Sequence, residues 1–448
     1  MGLYIQMHSM HGLFRSKNLE LGRDEDTGGQ IVYVLELAKA LGKKKDIDKV
    51  DIITRRIIDD QYPGYSEKIE EVTEKVNIVR INCGPKKYIK KVNLWPYLPE
   101  FIENVKKYIK KIDRKPDIFQ SNYADSGKVC SILSKELQIP QVHTGHSLGK
   151  PKMKRLGVND ENFDRFNNIF HFETRLEAEQ FTLNTADAVI ASTREELKKQ
   201  YSPYEIDEEL FKIIPPGINI DMFYPPSDKN PSEQHINMRQ MLENLLTQNM
   251  KEPEKPLVTT LSRLDERKNL HGLLESYGKD KELQELANLL IFAQTLEGNE
   301  DDQEIIEKIN RIIHKYNLYE NIVIPAIHLD YDTQVPEYYR FISEKKGVFV
   351  NPALIEPFGL TIIEAGACGI PVVATKNGGP SEIIDPGKNG YLIDPKDPKD
   401  ISAKIKKLLK DKKLWEKISK NSIQIVKDQY SWRACARKYL MVFKEVIK

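Results

Sequence analysis

The feature that most constrains the fold is an alternation of short apolar runs with helical patterns, which occurs twice along the chain. In the first half, the apolar runs occupy residues 3–8, 50–55, 76–81, 116–121, 140–145, 187–192 and 211–216. Amphipathic patterns, such as the one over residues 31–41, separate several of these runs. Alternating strand and helix signals predict a parallel sheet with helices on both faces.

The alternation resumes after a polar stretch, residues 225–256, which we expect to be an interdomain linker with a helix inside it. The later apolar runs lie at residues 257–262, 288–294, 321–326, 347–352, 371–375 and 390–395. With 448 residues, the chain is long enough for two domains. We therefore expect an α/β architecture of two Rossmann-like domains, residues 1–224 and 257–430, whose parallel sheets face a central cleft. A C-terminal helix over residues 431–448 has large apolar residues along one side and should pack back onto the first domain.

Charge and cysteine content exclude several classes of function. The chain has 68 basic and 67 acidic residues, so neither a nucleic acid nor an anionic membrane is an expected partner. We find no apolar stretch of membrane-spanning length and no secretory signal, and we expect a cytoplasmic protein. The cysteines show no paired spacing, which indicates free thiols in a reducing compartment: Cys83, Cys130, Cys368 and Cys435.

The segment 356–380 has the most informative local chemistry. A buried-strand pattern over residues 347–354 comes just before Glu356, and Pro357 and Gly359 break it. A helical pattern then starts at Leu360 and includes Glu364. The free backbone amides of such a strand–turn–helix arrangement suit a diphosphate, because amides and the helix dipole both favour anions. Glu364 lies where ribose hydroxyls would be in reach, and Glu356 lies where a sugar ring would sit. The alternative interpretation is that both are ordinary surface glutamates.

Two cations follow the first strand of the second domain. Arg263 and Lys268 flank a turn into a helix, where they would hold a leaving pyrophosphate. The alternative is a pair of surface charges near Asp265 and Glu266.

In the first domain, the adjacent glycines Gly28 and Gly29 precede a helix that begins near Gln30. Adjacent glycines at a helix N-terminus let a ligand approach the backbone closely. The chain contains no G-x-G-x-x-G fingerprint, which argues against a dehydrogenase, and the run GHSLGK at 145–150 lacks the spacing of a Walker motif.

Histidines and lysines cluster after the run 140–145. His143 and His146 lie at the end of that run, but a metal pair would need further ligands, which are not nearby in the sequence. A basic stretch follows that would bind an anionic substrate group or simply form a solvated helix face: Lys150, Lys152, Lys154 and Arg155.

Together these segments resemble the sucrose-phosphate synthases, retaining glucosyltransferases of the two-Rossmann GT-B type. The likeness runs from HGLFRSKNLELGRDEDTGGQ at residues 11–30 to NGYLIDPKDP near residue 394, and includes SNYADSG, HTGHSLG, SRLDERKN, NPALIEPFGL and ATKNGGP. The resemblance implies transfer of glucose from UDP-glucose to fructose 6-phosphate with retention, giving sucrose 6-phosphate and UDP. It also implies that no metal is needed, because cations and amides neutralise the leaving diphosphate.

The resemblance implies roles for individual residues. The catalytic set beside the donor diphosphate and the transferred glucose comprises His146, Glu356, Arg263 and Lys268. The donor's diphosphate, sugar and ribose are expected at Gly359, Leu360, Thr361 and Glu364. Fructose 6-phosphate is expected at Gly28, Gly29, Gln30, Lys91, Tyr123, Lys152 and Arg175.

This chain departs from the family pattern at three places. Thr174 and Arg175 stand where two adjacent arginines are usual, Asn122 replaces a frequent histidine, and the stretch 292–302 differs near the expected nucleobase. The choice between UDP and ADP or GDP therefore stays open, as does the oligomeric state. The alternatives are a sucrose synthase that uses free fructose, a mannosylfructose-phosphate synthase, and a non-catalytic sugar-phosphate sensor.

Overall fold

The computed structural model describes residues 2–21, 23–228, 231–294 and 300–447. The chain divides into two compact units, each built around its own sheet. Unit 1 comprises Met1–Gly217 and Trp432–Lys448, and unit 2 comprises Ile218–Ser431.

The strands of unit 1 are β1 (Leu3–His8), β2 (Ile47–Arg55), β3 (Ile69–Thr73), β4 (Val76–Ile81), β5 (Ile118–Asn122), β6 (Gln141–Thr144), β7 (Ala188–Ala191) and β8 (Phe211–Ile213). They lie in the order β3-β4-β2-β1-β5-β6-β7-β8, and all pairings are parallel except that of β3 with β4. Each apolar run of the first half overlaps one of these strands, because parallel strands covered on both faces must be apolar throughout. Strand β3 was not predicted, because this antiparallel edge strand has the polar, mostly solvent-accessible sequence IEEVT.

The helices of unit 1 before its last strand are α1 (Gly29–Gly42), α2 (Leu98–Ile112), α3 (Tyr123–Leu137), α4 (Gly149–Arg155), α5 (Phe163–Phe170), α6 (Phe172–Thr185) and α7 (Arg194–Glu196). The predicted apolar face of α1 is buried in the core of unit 1, where it contributes Ile31, Val34, Leu35, Ala38 and Leu41. The prediction of an amphipathic helix over residues 31–41 is therefore confirmed.

Unit 2 contains a wholly parallel sheet in the order β11-β10-β9-β12-β13-β14. Its strands are β9 (Leu257–Arg263), β10 (Asn288–Gln294), β11 (Ile322–Val323), β12 (Val348–Asn351), β13 (Val372–Thr375) and β14 (Gly390–Ile393). Its helices are α8 (Glu233–Asn249), α9 (Leu270–Lys279), α10 (Lys281–Leu286), α11 (Glu300–Tyr316), α12 (Gln334–Glu344), α13 (Leu360–Ala367), α14 (Pro380–Ile383), α15 (Pro398–Lys410) and α16 (Lys412–Ile425).

The stretch 225–256, expected as a linker, lies within unit 2 instead, and the boundary between the units falls after Gly217. Helix α8 buries Met238 and Leu242 in the core of this unit. Nδ1 of its His235 pairs with the Glu337 carboxylate on α12. The stretch reads as a linker because α8 buries only one narrow stripe and is polar elsewhere.

The last helix, α17 (Trp432–Val446), belongs to unit 1. Cys435, Tyr439 and Phe443 are fully buried in the same core cluster as α1. The hydroxyl of Tyr439 lies 2.8 Å from that of Tyr33 on α1, so a polar contact fixes the register of the two helices. Residues distant in sequence thus complete the core of unit 1.

We expect Phe443→Ala to lower the free energy of unfolding of unit 1 by about 3–5 kcal/mol, because it removes a fully buried aromatic ring. Urea denaturation, followed by the fluorescence of Trp95 and Trp432, measures this loss. Met441→Ala is the matched control, since Met441 on the same helix is 66% exposed and its truncation should change stability by less than about 0.5 kcal/mol. Equal effects of the two substitutions would contradict the placement of α17.

Candidate functional site

The glycine pair at the start of α1 faces open space. Gly28 caps the helix with an ordinary φ of −134°, and Gly29 is its first residue. A Cβ added at either glycine would meet no atom within 4 Å, so the packing of the protein itself does not require glycine here. Gln30 anchors the turn, since its Nε2 donates a hydrogen bond of 2.8 Å to Ser9 Oγ just after β1. The backbone is therefore open to the close approach of a ligand.

Lys91 and Arg175 lie beside the ring of Tyr123, and Lys152 is near enough to both to be repelled by them; we call Lys91, Lys152 and Arg175 the basic cluster. The Arg175 guanidinium lies 4.8 Å and the Lys91 ammonium 5.4 Å from the centre of that ring. Burial, followed by repulsion from Arg175 and Lys91, lowers the pKa of Lys152 to about 8. Mutual repulsion of this kind marks a place where an anion would be stabilised.

Two of these cations have carboxylate partners. Lys91 Nζ lies 3.0 Å from Asp26 Oδ1, and Arg175 Nε donates a 2.8 Å hydrogen bond to Glu179 Oε1. Lys152 makes no ion pair with any described residue, and its ammonium lies 3.9 Å from the centre of the Phe170 ring. The Glu25 carboxylate attracts Lys152 only from beyond ion-pair distance, so Lys152 is the cation of this cluster that has no ion-paired carboxylate. Asp26 and Glu179 position the cluster, and neither was identified from the sequence: Asp26 lies 65 residues from Lys91, whereas Glu179 follows Arg175 at the i,i+4 spacing of a helix.

Two non-glycine residues adopt left-handed backbone conformations at neighbouring strand ends. Tyr123, directly after β5, has φ +72°, and His146, two residues after β6, has φ +57°. Strands β5 and β6 pair in parallel, with Asn122 opposite Thr144. Such conformations cost of order 1–3 kcal/mol and cluster at functional sites.

The His146 ring is held on two sides. Its Nε2 lies 2.9 Å from Asn122 Oδ1, and its plane meets the Tyr33 ring edge-to-face with centroids 4.9 Å apart. Burial lowers the pKa of His146 to about 3, so the imidazole is neutral at physiological pH.

His143 is a buried histidine whose Nδ1 lies 2.9 Å from Ser121 Oγ, within the sheet. In the part of the chain that the structure describes, His, Cys, Asp and Glu side chains form no group of three or more that would hold a metal ion.

In unit 2, Glu356 and Lys268 form an ion pair. Lys268 Nζ lies 2.7 Å from Glu356 Oε2, and Asn351 Nδ2 donates a 3.1 Å hydrogen bond to the same oxygen. Lys268 follows β9 and Asn351 ends β12, and these are neighbouring strands of the sheet. Glu356 is only 9% exposed, so it is not an ordinary surface glutamate. Asn351 was not singled out by sequence analysis, although it also lies at a strand end.

Glu364 is buried on the second turn of α13. The hydroxyl of Tyr331 donates a 2.7 Å hydrogen bond to its Oε1, and that of Tyr339 lies 3.3 Å from its Oε2. Burial nevertheless raises the pKa of Glu364 to about 7. This carboxylate can accept a further hydrogen bond, but it has no direct contact with Glu356 in the described structure.

The turn before α13 supplies backbone donors. Gly359 caps the helix with φ +106°, and within the described chain the amides of Gly359, Leu360 and Thr361 have no acceptor. The predicted helix over Leu360–Ala367 is confirmed, and its N-terminus is open to an anion.

The glycine pair Gly378 and Gly379 holds that turn in place. Gly378 has φ +99°, and a Cβ there would lie 2.1 Å from the Glu356 carbonyl oxygen. The amide of Gly379 donates a 2.9 Å hydrogen bond to the same oxygen. These glycines are thus required by the close approach of two backbones, and they fix the position of Glu356.

Arg263 is exposed at the carboxyl end of β9. Its guanidinium makes no ion pair or hydrogen bond with the described residues, nor does it contact Lys268. Of the stretch expected near the nucleobase, residues 295–299 lie outside the described residues.

The raised pKa of Glu364 predicts a dependence of stability on pH. Since its pKa is about 7 in the folded protein against 4.5 for an ordinary glutamate, the folded state binds this proton more tightly, and stability falls as pH rises from 4.5 to 7. Glu364→Gln should remove this loss. The free energy of unfolding of the variant, relative to that of the wild type, should therefore rise by up to about 3 kcal/mol between pH 5 and pH 8. Urea denaturation at several pH values measures the difference, and a constant difference would contradict the assignment.

Two family models match the chain. The model for group 1 glycosyl transferases matches residues 243–425, and the model for the first GT-B domain of sucrose synthase matches residues 3–205. None of the described helices combines the length and apolarity needed to cross a membrane.

Sequence relatives and solved structures extend this result. The chain is 36% identical to a probable sucrose-phosphate synthase 1 of Oryza sativa subsp. indica, over 98% of this chain and 46% of that protein. It is also 36% identical to a sucrose-phosphate synthase of Spinacia oleracea, over 98% of this chain and 47% of that protein. The chain thus spans about half the length of the curated relatives it matches.

A solved sucrose-phosphate synthase from Thermosynechococcus elongatus is 27% identical, with a TM-score of 0.65, and the match covers 99% of this chain and 98% of that one. The α/β architecture and the resemblance inferred from the sequence are both confirmed. The chain therefore belongs to the GT-B glycosyltransferase family that includes the sucrose-phosphate synthases.

Proposed function

We propose that this protein transfers glucose from UDP-glucose to fructose 6-phosphate with retention of configuration, giving sucrose 6-phosphate and UDP. The observation that carries this proposal is the basic cluster, because Lys152 has no ion-paired carboxylate and a phosphate would relieve its repulsion by Lys91 and Arg175. Its relationship to sucrose-phosphate synthases along 98% of the chain supports the same substrates.

Unit 1 is proposed to bind the acceptor. Lys91, Lys152 and Arg175 hold the phosphate, and the open turn Gly28–Gln30 receives the sugar ring against the backbone. Arg175 already donates to Glu179 and to the Ser147 carbonyl, which leaves three of its five N–H donors for the phosphate. Thr174 contributes no charge, and Lys152 supplies the cation that has no ion-paired carboxylate.

Unit 2 is proposed to bind the donor. The diphosphate lies against the free amides of Gly359, Leu360 and Thr361 at the start of α13. Arg263 and Lys268 supply the positive charge that stabilises the leaving UDP, so no metal ion is part of the proposal. Lys268 has three N–H donors, and its contact with Glu356 uses one of them.

The chemistry follows from these placements. The bond between the anomeric carbon and the diphosphate oxygen breaks as positive charge develops on glucose. An acceptor hydroxyl of fructose 6-phosphate attacks the same face, and its proton passes to the departing diphosphate oxygen. In unit 2, Glu356 holds the glucose hydroxyls and Glu364 accepts from the ribose. In unit 1, the role of His146 is to bind a sugar hydroxyl. Attack on the face that the leaving group vacates retains the configuration.

A second candidate is a sucrose synthase with free fructose as its acceptor. The match of residues 3–205 to the first GT-B domain of sucrose synthase favours it. It leaves the basic cluster without an anion to bind, and for that reason we place it second.

A matrix of donors and acceptors tests the proposed function. UDP-glucose, ADP-glucose and GDP-mannose are each offered with fructose 6-phosphate and with free fructose, and products are identified by mass before and after phosphatase treatment. We expect a disaccharide phosphate from UDP-glucose and fructose 6-phosphate. Preference for free fructose would indicate a sucrose synthase, and preference for GDP-mannose a mannosylfructose-phosphate synthase. Binding of the sugar phosphate without nucleotide release would indicate a sensor.

We expect Lys268→Ala and Arg263→Ala each to lower kcat by about 100-fold or more, because each removes a cation that stabilises the leaving diphosphate. Arg263 is exposed and makes no ion pair or hydrogen bond within the described residues, so its removal should leave the melting temperature unchanged. Lys279→Ala is the control, since this lysine pairs with Glu275 on the surface of α9. Turnover near the wild-type level in both active-site variants would refute the assignment.

Gly29→Ala should raise the KM for fructose 6-phosphate about tenfold while leaving stability unchanged or slightly higher. The added methyl group meets no protein atom within 4 Å, so only a bound ligand would clash with it. Initial-rate kinetics and thermal melting of the same preparation provide the two measurements. An unchanged KM would show that the acceptor does not approach this turn.

A further inference from the structure

The orientation of the Asn122 side chain is fixed by a group that can only accept hydrogen bonds. Asn122 Nδ2 lies 3.2 Å from the carbonyl oxygen of His8, at the end of the neighbouring strand β1. A carbonyl cannot donate, so the amino group of Asn122 must face it. The amide oxygen of Asn122 therefore faces Nε2 of His146, at 2.9 Å.

A second carbonyl supports the same orientation through Gln120. Gln120 Nε2 lies 3.2 Å from the Ser121 carbonyl oxygen, which places the Gln120 amide oxygen on the other side. That oxygen lies 2.6 Å from Asn122 Nδ2 and accepts from it. Two backbone carbonyls on adjacent strands thus determine the direction of both side-chain amides.

This direction determines which nitrogen of His146 carries the proton. An amide oxygen accepts hydrogen bonds, so Nε2 must be protonated in order to donate to Asn122. A neutral imidazole has a single N–H, which leaves Nδ1 with a free lone pair. Nδ1 has no partner among the described residues and is not sealed from solvent.

Packing against Tyr33 also fixes the plane of the His146 ring. The Tyr33 ring packs edge-to-face against His146, and the Tyr33 hydroxyl lies 2.8 Å from that of Tyr439 on α17. The Tyr439 hydroxyl in turn lies 2.8 Å from Thr144 Oγ1, at the end of β6. His146 is therefore constrained both in its plane and in its hydrogen bond to Asn122.

We propose that Asn122 is a positioning residue that keeps His146 in the Nε2–H tautomer, so that Nδ1 accepts a hydrogen bond from a hydroxyl group of a bound sugar. His146 is then an acceptor for a hydroxyl, and it neither donates to a phosphate nor acts as a general acid. The identity of the bound molecule rests on the proposed function, whereas the tautomer is a property of the free protein.

Nuclear magnetic resonance of protein labelled with nitrogen-15 in histidine tests the tautomer without any substrate. Two-bond proton–nitrogen correlations distinguish Nε2–H from Nδ1–H, and the His146 signals are assigned by their loss in His146→Asn. We expect the Nε2–H pattern in the wild type and a mixture of tautomers in Asn122→Leu. A wild-type Nδ1–H pattern would overturn the proposal, even if the leucine variant does not fold.

Ser121→Ala is the matched control. Ser121 precedes Asn122 on the same strand, and its hydroxyl contacts His143 instead of His146. This substitution should alter the His143 signals and leave those of His146 unchanged. A change in the His146 tautomer as large as that in Asn122→Leu would show that general loosening of the sheet is responsible, and would refute the role of Asn122.

Kinetics test the consequence for the substrate. Asn122→Leu should lower kcat about tenfold or more with less than about a twofold change in the KM for fructose 6-phosphate, since the tautomer acts on the reacting sugar. A mixture of tautomers in Asn122→Leu with an unchanged kcat would refute the proposed hydrogen bond between Nδ1 of His146 and the sugar. If the wild type transfers no sugar in the donor and acceptor matrix, the proposed function is wrong. The His146 tautomer is still tested, because the NMR spectrum of the free protein does not depend on activity.

Discussion

Parallel pairing of β5 with β1 and β6 is the constraint on which the chemistry of unit 1 depends. His8 lies opposite Ser121, and Asn122 opposite Thr144, so three strand ends meet at one edge of the sheet. Because of this register, the carbonyl of His8 reaches the Asn122 amide, and His146 reaches it from the other side. A slip of one residue would turn Asn122 to the opposite face and separate these groups.

In unit 2 the corresponding constraint is a contact between two backbones. Gly378 and Gly379 come so close to the turn after β12 that no side chain fits, and the Glu356 carbonyl accepts from the Gly379 amide. The Glu356 carboxylate is thereby held beside Lys268 and Asn351. Within the described residues, Arg263 in unit 2 and Lys152 in unit 1 form no ion pair, although Asp265 and Glu25 attract them from further away. Each unit therefore presents a cation that is available to an anionic substrate.

Much of this arrangement could be predicted from local sequence. Apolar runs predicted the buried parallel strands, because such strands are covered on both faces. The edge strand β3 was missed because it is polar, and the stretch 225–256 read as a linker because α8 buries only a narrow stripe. At the site, residues at strand ends were identifiable by type. Their partners Tyr331 and Asp26 were not, since each lies more than 30 residues away along the chain, and Asn351, five residues before Glu356, was not singled out either.

The sequence by itself determined the α/β class, the buried parallel strands, the family and the kinds of residue at their ends, because these depend on local pattern and motif. Only the tertiary structure decided that Lys268 pairs with Glu356, that Glu364 is buried against two tyrosines, and that Asn122 faces Nε2 of His146. Pairings, pKa values and tautomers depend on distances of a few ångströms between segments far apart in sequence. The register of the sheets and the packing of the helices set those distances, and a linear pattern does not encode them.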